Sequence, residues 1–252
     1  MIEISDLGEK SFYDYVITKK NKFNDYKSLV KLIIKVQNIK VKKFYKLEKF
    51  RVKFLKYNLN NLHKESDLFF DWYLKYCLKK KKIDKIKRLL KEELTKIYKK
   101  LKFSNNTFVH RDFHVSNIML KEKKLGLIDS QDAMIGNPLY DLVSLIDDVR
   151  IKLPISLQNN LIHFYHKNSK LKKNDLENLK NDFDILSVQR NLKILGIFVR
   201  LSKRDGKNNY LKFLPYTWTL IERRLRNPIF KNLNILINKN LPNKKLRKLN
   251  KI

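Results

Sequence analysis

The chain has 252 residues, a formal net charge of +32 and one cysteine. This length can bury one sizeable core, or one core with a small satellite. A single cysteine excludes an intramolecular disulfide and a cysteine-based zinc site, and the five histidines are not spaced as metal ligands, which favours a reducing, cytoplasmic setting. No apolar run approaches the roughly 20 residues that span a membrane, and the acidic start is unlike a signal peptide.

The positive charge is carried mostly by lysine and is spread along almost every segment, beside many Asn and Ile residues. This pattern is typical of compositional drift and a solvated basic surface. Two lysine clusters, residues 79–82 in an expected loop between helices and residues 243–248 in a tail, could contact phosphate groups. Neither is interleaved with the aromatic side chains that stack on bases, so nucleic acid and membrane are not the partners we expect first.

The first hundred residues predict an extended start followed by amphipathic helices. Residues 2–8 are expected to be extended and to end in a turn, and residues 41–58 are ambiguous between helix and loop. Apolar residues at helical spacing predict helices over 25–37, 62–78 and 86–101. The second of these helices carries aromatic residues that we expect in the core rather than in a substrate pocket. They are Phe69, Phe70, Trp72 and Tyr73.

The most informative stretch is residues 107–148. A short β-prone run, Thr107–Val109, is followed by the triplet His110-Arg111-Asp112, and Asn117 comes five residues after Asp112. Residues 118–120 and 125–128 then predict two short strands joined by a polar turn, and the second strand ends at Asp129. The hairpin is therefore expected to return Asp129 to the neighbourhood of Asn117.

These residue types suit phosphoryl transfer, which depends mainly on positioning and on neutralising the charge of the transferred group. Such a site needs oxygen ligands for magnesium and a carboxylate that orients and deprotonates the attacking hydroxyl. Magnesium keeps several waters, so one carboxylate and one amide oxygen suffice when nucleotide phosphates complete the shell. We predict Asp112 as the base and Asn117 and Asp129 as the Mg²⁺ ligands.

The spacing is similar to the H-R-D-x-x-x-x-N catalytic loop of the kinase superfamily, which precedes a metal-binding aspartate on the next strand. His114, and Asp129-Ser130-Gln131 in place of D-F-G, resemble the aminoglycoside phosphotransferase and choline kinase-like branch. Within it, the runs 129–133, 140–145 and 189–198 resemble bacterial anomeric kinases of N-acetylmuramate and N-acetylglucosamine. The resemblance covers residues 2–226.

The resemblance implies an α+β fold that is mainly helical, the large (C-terminal) lobe of a protein-kinase-like fold with a small catalytic β-hairpin. It also implies ATP and Mg²⁺ as cofactors and an amino sugar as small-molecule substrate. His114 would assist the transferred phosphate. Asp6, in a hinge-like segment whose backbone contacts adenine, would join Asn117 and Asp129 in the nucleotide site. For Asp132, a contact with a sugar hydroxyl and a turn-forming role both stay open.

One part of the resembled family has no match in this sequence. The five glycines are too far apart to form a G-x-G-x-x-G loop or a Walker loop. We expect a glycine-rich small lobe to come from a separate polypeptide or from coding sequence upstream of Met1. The predicted domains are a hinge-like segment at 1–8, the large lobe at 9–226 and a basic, poorly patterned C-terminal tail at 227–252.

The second half of the chain predicts a turn at 136–138 and helices over 139–151, 157–166, 174–201 and 210–225. Its charged residues are not expected to take part in catalysis. Asp141 either caps its helix or holds the catalytic loop by hydrogen bonds, and the acidic pair Asp147 and Asp148 is expected to be solvated. The arginines of the long helix are expected to be exposed, although they could face an anionic group: Arg190, Arg200 and Arg204.

The sequence supports three functional hypotheses. The first is an ATP-dependent phosphotransferase that acts on a small-molecule hydroxyl, foremost the anomeric hydroxyl of an N-acetylated amino sugar, in cell-wall recycling. The second is a non-catalytic kinase-like fragment that binds a sugar, a nucleotide or a partner. The third is a basic nucleic-acid-binding protein. The combination of Asp112, Asn117 and Asp129 favours the first.

Overall fold

The computed structural model describes residues 6–41, 45–47, 50–78, 80–122, 124–173 and 175–241. Most of the predicted extended start, Lys79 and the lysine cluster at 243–248 lie outside these residues. The helices are α1 Phe12–Val16, α2 Phe23–Gln37, α3 Leu59–Leu68, α4 Lys75–Cys77, α5 Lys80–Tyr98, α6 Tyr140–Ile146, α7 Ile155–Asn168, α8 Leu176–Asp205, α9 Leu214–Arg224 and α10 Lys231–Asn240. The strands are β1 Tyr45–Leu47, β2 Phe50–Val52, β3 Thr107–Val109, β4 Ile118–Lys121, β5 Lys124–Leu127 and β6 Met134–Gly136.

The described structure is mostly helical with small antiparallel sheets, as predicted. The strands pair as β1 with β2, β3 with β6, and β4 with β5. None of the helices in the described ranges has the length and hydropathy needed to cross a membrane. The predicted helices between residues 23 and 224 are present, with ends displaced by a few residues, because their apolar residues repeat at helical spacing.

The chain forms two compact units, each assembled from two separate stretches. The first unit contains residues 1–56 and 105–174, and the second contains residues 57–104 and 175–252. The domain limits inferred from the resemblance, at residues 8 and 226, stay predictions.

The first unit holds residues 107–148, the stretch that contains the predicted catalytic loop and hairpin. Its core contains α6, all seven residues of which are buried, and α2 packs against α7. The elements of this unit that were not predicted are the short helix α1, the β1–β2 hairpin, within the ambiguous residues 41–58, and strand β6, which pairs with β3. Both pairings depend on contacts that short, irregular sequence patterns do not reveal.

The expectation that Asp147 and Asp148 are solvated is wrong. Both are buried, at 0% and 2% relative exposure, because the chain leaves the fully buried α6 inside the unit. The Asp148 Oδ1 atom accepts hydrogen bonds from the backbone N–H of Arg150 at 3.1 Å and from its Nη1 at 3.0 Å. The predicted helix over 139–151 therefore ends early, at Ile146.

The second unit is built around α8. A π-helical turn, Phe69–Leu74, links α3 to α4 and packs on this long helix together with α3 and α9. Phe69, Phe70 and Tyr73 are fully buried, and Tyr73 accepts a 2.7 Å hydrogen bond at its hydroxyl from the indole of Trp218. The prediction that the aromatic stripe belongs to the core is confirmed for these three residues, whereas Trp72 is half-buried.

Three further expectations in the second unit are corrected. Residues 80–82 form the first turn of α5 rather than a loop, because lysine is a good helix former and Ile83 and Ile86 continue the buried stripe. The supposedly unpatterned segment after residue 227 contains α10, whose Leu233 and Ile237 are buried. Arg190 is buried rather than exposed.

Candidate active site

Strand β3 leads into the predicted catalytic loop, in which His110 and Phe113 are buried and Asp112 is half-buried. Val109 pairs with Met134 of β6, so the strand ends directly before His110. The His110 side chain is fully buried, and its Nε2 donates a 2.9 Å hydrogen bond to the carbonyl oxygen of Ile128. This histidine therefore ties the loop to the segment that leads into Asp129.

Asp141 holds the same loop from the opposite side. Its two carboxylate oxygens accept the backbone N–H groups of His110 at 2.8 Å and Arg111 at 3.0 Å. Complete burial raises the pKa of Asp141 to about 6, against the lowering effect of these two N–H donors. Of the two structural roles predicted for Asp141, holding the catalytic loop is confirmed.

The β4–β5 hairpin returns the chain as predicted. Ile118 pairs with Leu127, and the backbone N–H of Ile128 donates a 3.1 Å hydrogen bond to the carbonyl oxygen of Asn117. The side-chain Nδ2 of Asn117 donates in turn to the carbonyl oxygen of Asp112 at 3.1 Å. The structure therefore brings Asp112, Asn117 and the end of β5 before Asp129 into one neighbourhood.

The donor set at this place fits a magnesium ion. The Oδ1 atom of Asn117 and the carboxylate of Asp129 accept no hydrogen bond from the part of the chain that the structure describes. Asp129 is exposed and adopts a left-handed backbone conformation, with φ of 60°. Within the described ranges there is no group of three or more His, Cys, Asp or Glu residues that could hold a metal. One amide and one carboxylate oxygen match a cation that takes further ligands from phosphates and water.

His114 and Asp132 occupy different positions around the loop. The backbone N–H of His114 donates to the Asp112 carbonyl oxygen at 3.0 Å, so His114 belongs to the same turn as Asp112. Asp132 is exposed at the end of a 3-10 turn, and its carbonyl oxygen accepts a 3.0 Å hydrogen bond from Nη1 of Arg111. The sequence did not indicate this contact, because Arg111 and Asp132 lie on different segments.

Asp6 lies beside the hairpin. Its Oδ1 accepts the N–H of Gly8 at 2.8 Å, which confirms the predicted turn, and its Oδ2 forms a 2.6 Å ion pair with Lys121. The lysine and the N–H donor lower the pKa of the Asp6 carboxyl. Both oxygens of the Asp6 carboxylate are therefore engaged in contacts within the chain.

Comparison of the sequence with known proteins identifies a family. Residues 4–179 match the model of the family described as APH, the phosphotransferase enzyme family. The chain belongs to this family. The resemblance inferred from the sequence is thereby confirmed, and the match includes every residue of the candidate site.

Curated relatives of this phosphotransferase chain carry one shared name. The chain is 33% identical over 171 residues to the N-acetylmuramate/N-acetylglucosamine kinase of Pseudomonas aeruginosa. This alignment covers 65% of the chain and 51% of that protein. The chain is 31% identical over 163 residues to the kinase of the same name from Neisseria meningitidis serogroup B, at 63% and 49% coverage. The chain spans about half the length of the curated relatives it matches.

Proposed function

We propose that this phosphotransferase chain carries the catalytic loop of an ATP-dependent kinase that phosphorylates the anomeric hydroxyl of an N-acetylated amino sugar. The observation that supports the proposal is a pair of hydrogen bonds of Asn117. Its side chain donates to the carbonyl oxygen of Asp112, and its own carbonyl oxygen accepts from the N–H of Ile128, the residue before Asp129. The names of the relatives support the choice of acceptor.

Asp112 acts as the general base. Its carboxylate accepts the proton of the sugar hydroxyl as that oxygen bonds to the γ-phosphorus and the bond from phosphorus to ADP breaks. Two hydrogen bonds to its carbonyl oxygen, from His114 N–H and Asn117 Nδ2, hold its backbone. A positioned base of this kind contributes about 10²–10⁴-fold to the rate.

Asn117 and Asp129 would hold Mg²⁺ through the amide oxygen and the carboxylate. When bound, the ion would supply the neutralisation of phosphate charge on which phosphoryl transfer depends. His114 stabilises the transferred phosphate, Asp132 contacts a sugar hydroxyl, and the backbone beside Asp6 contacts the adenine. A glycine-rich lobe on a separate polypeptide would add contacts to the phosphates that this chain's dispersed glycines do not form.

The test has a binding arm and a chemical arm. Calorimetry of ATP binding with and without magnesium is expected to show magnesium-dependent binding that Asp129→Ala abolishes. Incubation with ATP, Mg²⁺ and N-acetylmuramate or N-acetylglucosamine, followed by phosphorus NMR, is expected to show an anomeric sugar phosphate. Asp112→Ala should lower the rate of its formation by about 10²–10⁴-fold while ATP still binds.

Asp84→Ala is the matched control, because Asp84 is an exposed aspartate of the second unit, outside the site. It should leave both binding and transfer unchanged. ATP binding without transfer to either sugar would overturn the proposed kinase activity and favour the non-catalytic alternative. Absence of magnesium-dependent binding in the intact chain would show that its residues alone do not hold the nucleotide.

A further inference from the structure

The first unit contains a cavity formed by the C-terminal end of α2, the start of β3, Pro138 and the end of α7. Its volume is about 310 Å³, at the small end of the range of roughly 300–1,000 Å³ that is usual for ligand sites. We name it the Tyr165 cavity, after the fully buried tyrosine in its wall. Neither the catalytic loop nor the predicted metal ligands line it.

Three residues in the wall of this cavity, Gln37, Pro138 and Tyr165, are joined by hydrogen bonds. The side chain of Gln37 donates to the carbonyl oxygen of Pro138 at 2.6 Å, and the Tyr165 hydroxyl lies 2.7 Å from Gln37 Oε1 and 3.2 Å from that carbonyl. Such a network fixes three segments against one another. The cavity is therefore a shaped site rather than a gap between mobile side chains.

The remaining lining combines neutral hydrogen-bonding groups with apolar surface. Asn38, Asn106 and Thr107 supply amides and a hydroxyl, and Ile39 is 59% exposed at the edge. Neutral amides and hydroxyls exchange hydrogen bonds with ligand hydroxyl groups, while apolar side chains cover the carbon framework of a ring. This is the lining that a hydroxylated ring would require.

The charge of the cavity has one sign. Lys40 and Lys170 line it, and no aspartate or glutamate does. Among the described residues neither lysine forms an ion pair, and both are exposed. Two ammonium groups with no carboxylate beside them attract an anionic group and repel a cationic ligand.

The cavity is separate from the catalytic loop. Thr107, in its wall, begins β3, whereas His110 follows the end of that strand. Three residues of extended chain span roughly 10 Å. A ligand of monosaccharide size in the Tyr165 cavity would therefore not occupy the position of the transferred phosphate.

We propose that the Tyr165 cavity is a binding site for a small hydroxylated anion of the size of a monosaccharide phosphate, with its hydroxyls on the neutral lining and its anionic group between Lys40 and Lys170. The proposal does not depend on the kinase activity, because none of its residues belongs to the catalytic site.

The test measures binding of glucose 1-phosphate to the full chain by calorimetry at low salt, with glucose and inorganic phosphate as separate probes. Glucose 1-phosphate is expected to bind at least about tenfold more tightly than either probe, since only it engages both parts of the lining. The double variant Lys40→Glu/Lys170→Glu should weaken this binding at least about tenfold, because the attraction becomes repulsion.

Two control variants and one blocking variant locate the bound molecule. Lys31→Glu reverses an exposed charge of α2 outside the cavity and should leave binding unchanged. Asp129→Ala alters the catalytic site and should also leave it unchanged. Asn106→Trp, at an exposed position, should block the cavity without altering the core. Binding that Lys31→Glu weakens as much as the double variant, binding that Asp129→Ala abolishes, or no binding of any probe at millimolar concentration would overturn the proposal.

Discussion

At the scale of single residues, the backbone of Arg111 shows how much the catalytic loop is constrained. Its φ is 73°, a left-handed conformation that costs about 1–3 kcal/mol for a residue with a side chain. Three contacts hold it there: its N–H to Asp141, its Nη1 to the Asp132 carbonyl oxygen, and its own carbonyl oxygen to the hydroxyl of Ser144 at 3.4 Å. The bend that follows directs the chain into Asp112.

Replacing Asp141 by alanine should therefore destabilise the fold. The change leaves two N–H groups, of His110 and Arg111, without their acceptors in a buried loop, and we expect a loss of at least about 1–3 kcal/mol in the free energy of unfolding. Urea unfolding at neutral pH measures it. Asp129→Ala is the matched control, because Asp129 is exposed, and should change stability by less than about 0.5 kcal/mol. Equal effects of the two substitutions would contradict the anchoring role.

The carboxyl group of Asp141 should also make the free energy of unfolding depend on pH. Its pKa in the folded state, raised to about 6 by burial, exceeds the ordinary value of 3.8, so folding favours the protonated form. The stability contributed in this way is fully present below pH 3.8 and is lost as the pH rises through 6. The gap in unfolding free energy between the wild type and Asp141→Ala should thus be larger at pH 4 than at pH 7. A gap that widens with rising pH would show that the two N–H donors dominate over burial.

At the scale of elements, one glycine inside α8 and one at its C-cap are required for different physical reasons. A Cβ at Gly196 would lie 2.3 Å from the backbone carbonyl of Leu68, where α3 passes into the π-helical turn, so this glycine permits close packing of the two helices. Gly206, the C-cap, has φ of 68° and open space around it. Lack of space for a side chain requires glycine at position 196, whereas the left-handed backbone conformation favours glycine at position 206.

Alanine substitutions at Gly196 and Gly206 form a matched pair, one inside α8 and one at its C-cap. Gly206→Ala should cost about 1–2 kcal/mol through the left-handed backbone alone. Gly196→Ala should cost more, because α3 or α8 must shift and this strain outweighs the gain of about 1 kcal/mol in helix propensity. Thermal unfolding of both variants tests the order. Unchanged or increased stability of Gly196→Ala would refute the close packing.

At the scale of the whole molecule, the net charge of +32 opposes folding. The described ion pairs are few relative to the lysines, and most of these lysines are exposed, so like charges repel across the surface. The repulsion acts on the compact chain more than on the unfolded chain. Salt screens it over a Debye length of about 8 Å at physiological ionic strength.

The melting temperature should therefore rise by several degrees as sodium chloride increases from low to moderate concentration. Replacing exposed Lys31 and Lys85 by glutamate lowers the net charge and should reduce this dependence. Differential scanning calorimetry of both proteins measures it. A melting temperature that is constant or falls with salt would indicate that attractive ion pairs, rather than repulsion, dominate the electrostatic energy.

The family, the helical character and the β4–β5 hairpin were determined by the sequence alone, because their signals are local. Apolar spacing predicts α2, α7 and α8, and β-prone runs around a polar turn predict the hairpin that returns Asp129 to Asn117. The backbone hydrogen bonds of a helix or a hairpin join residues that are close in the chain, so a local pattern is enough to predict them.

Only the tertiary structure decided which charged and polar groups are buried and which distant segments meet. The local sequence does not indicate that Asp147 and Asp148 are buried. Nor does it indicate that β6 pairs with β3 or that Gln37 contacts Pro138. The environment of such a side chain depends on packing over the whole unit, whereas composition and periodicity describe only its neighbours in the chain. For the same reason, the Tyr165 cavity could be found only in the folded protein.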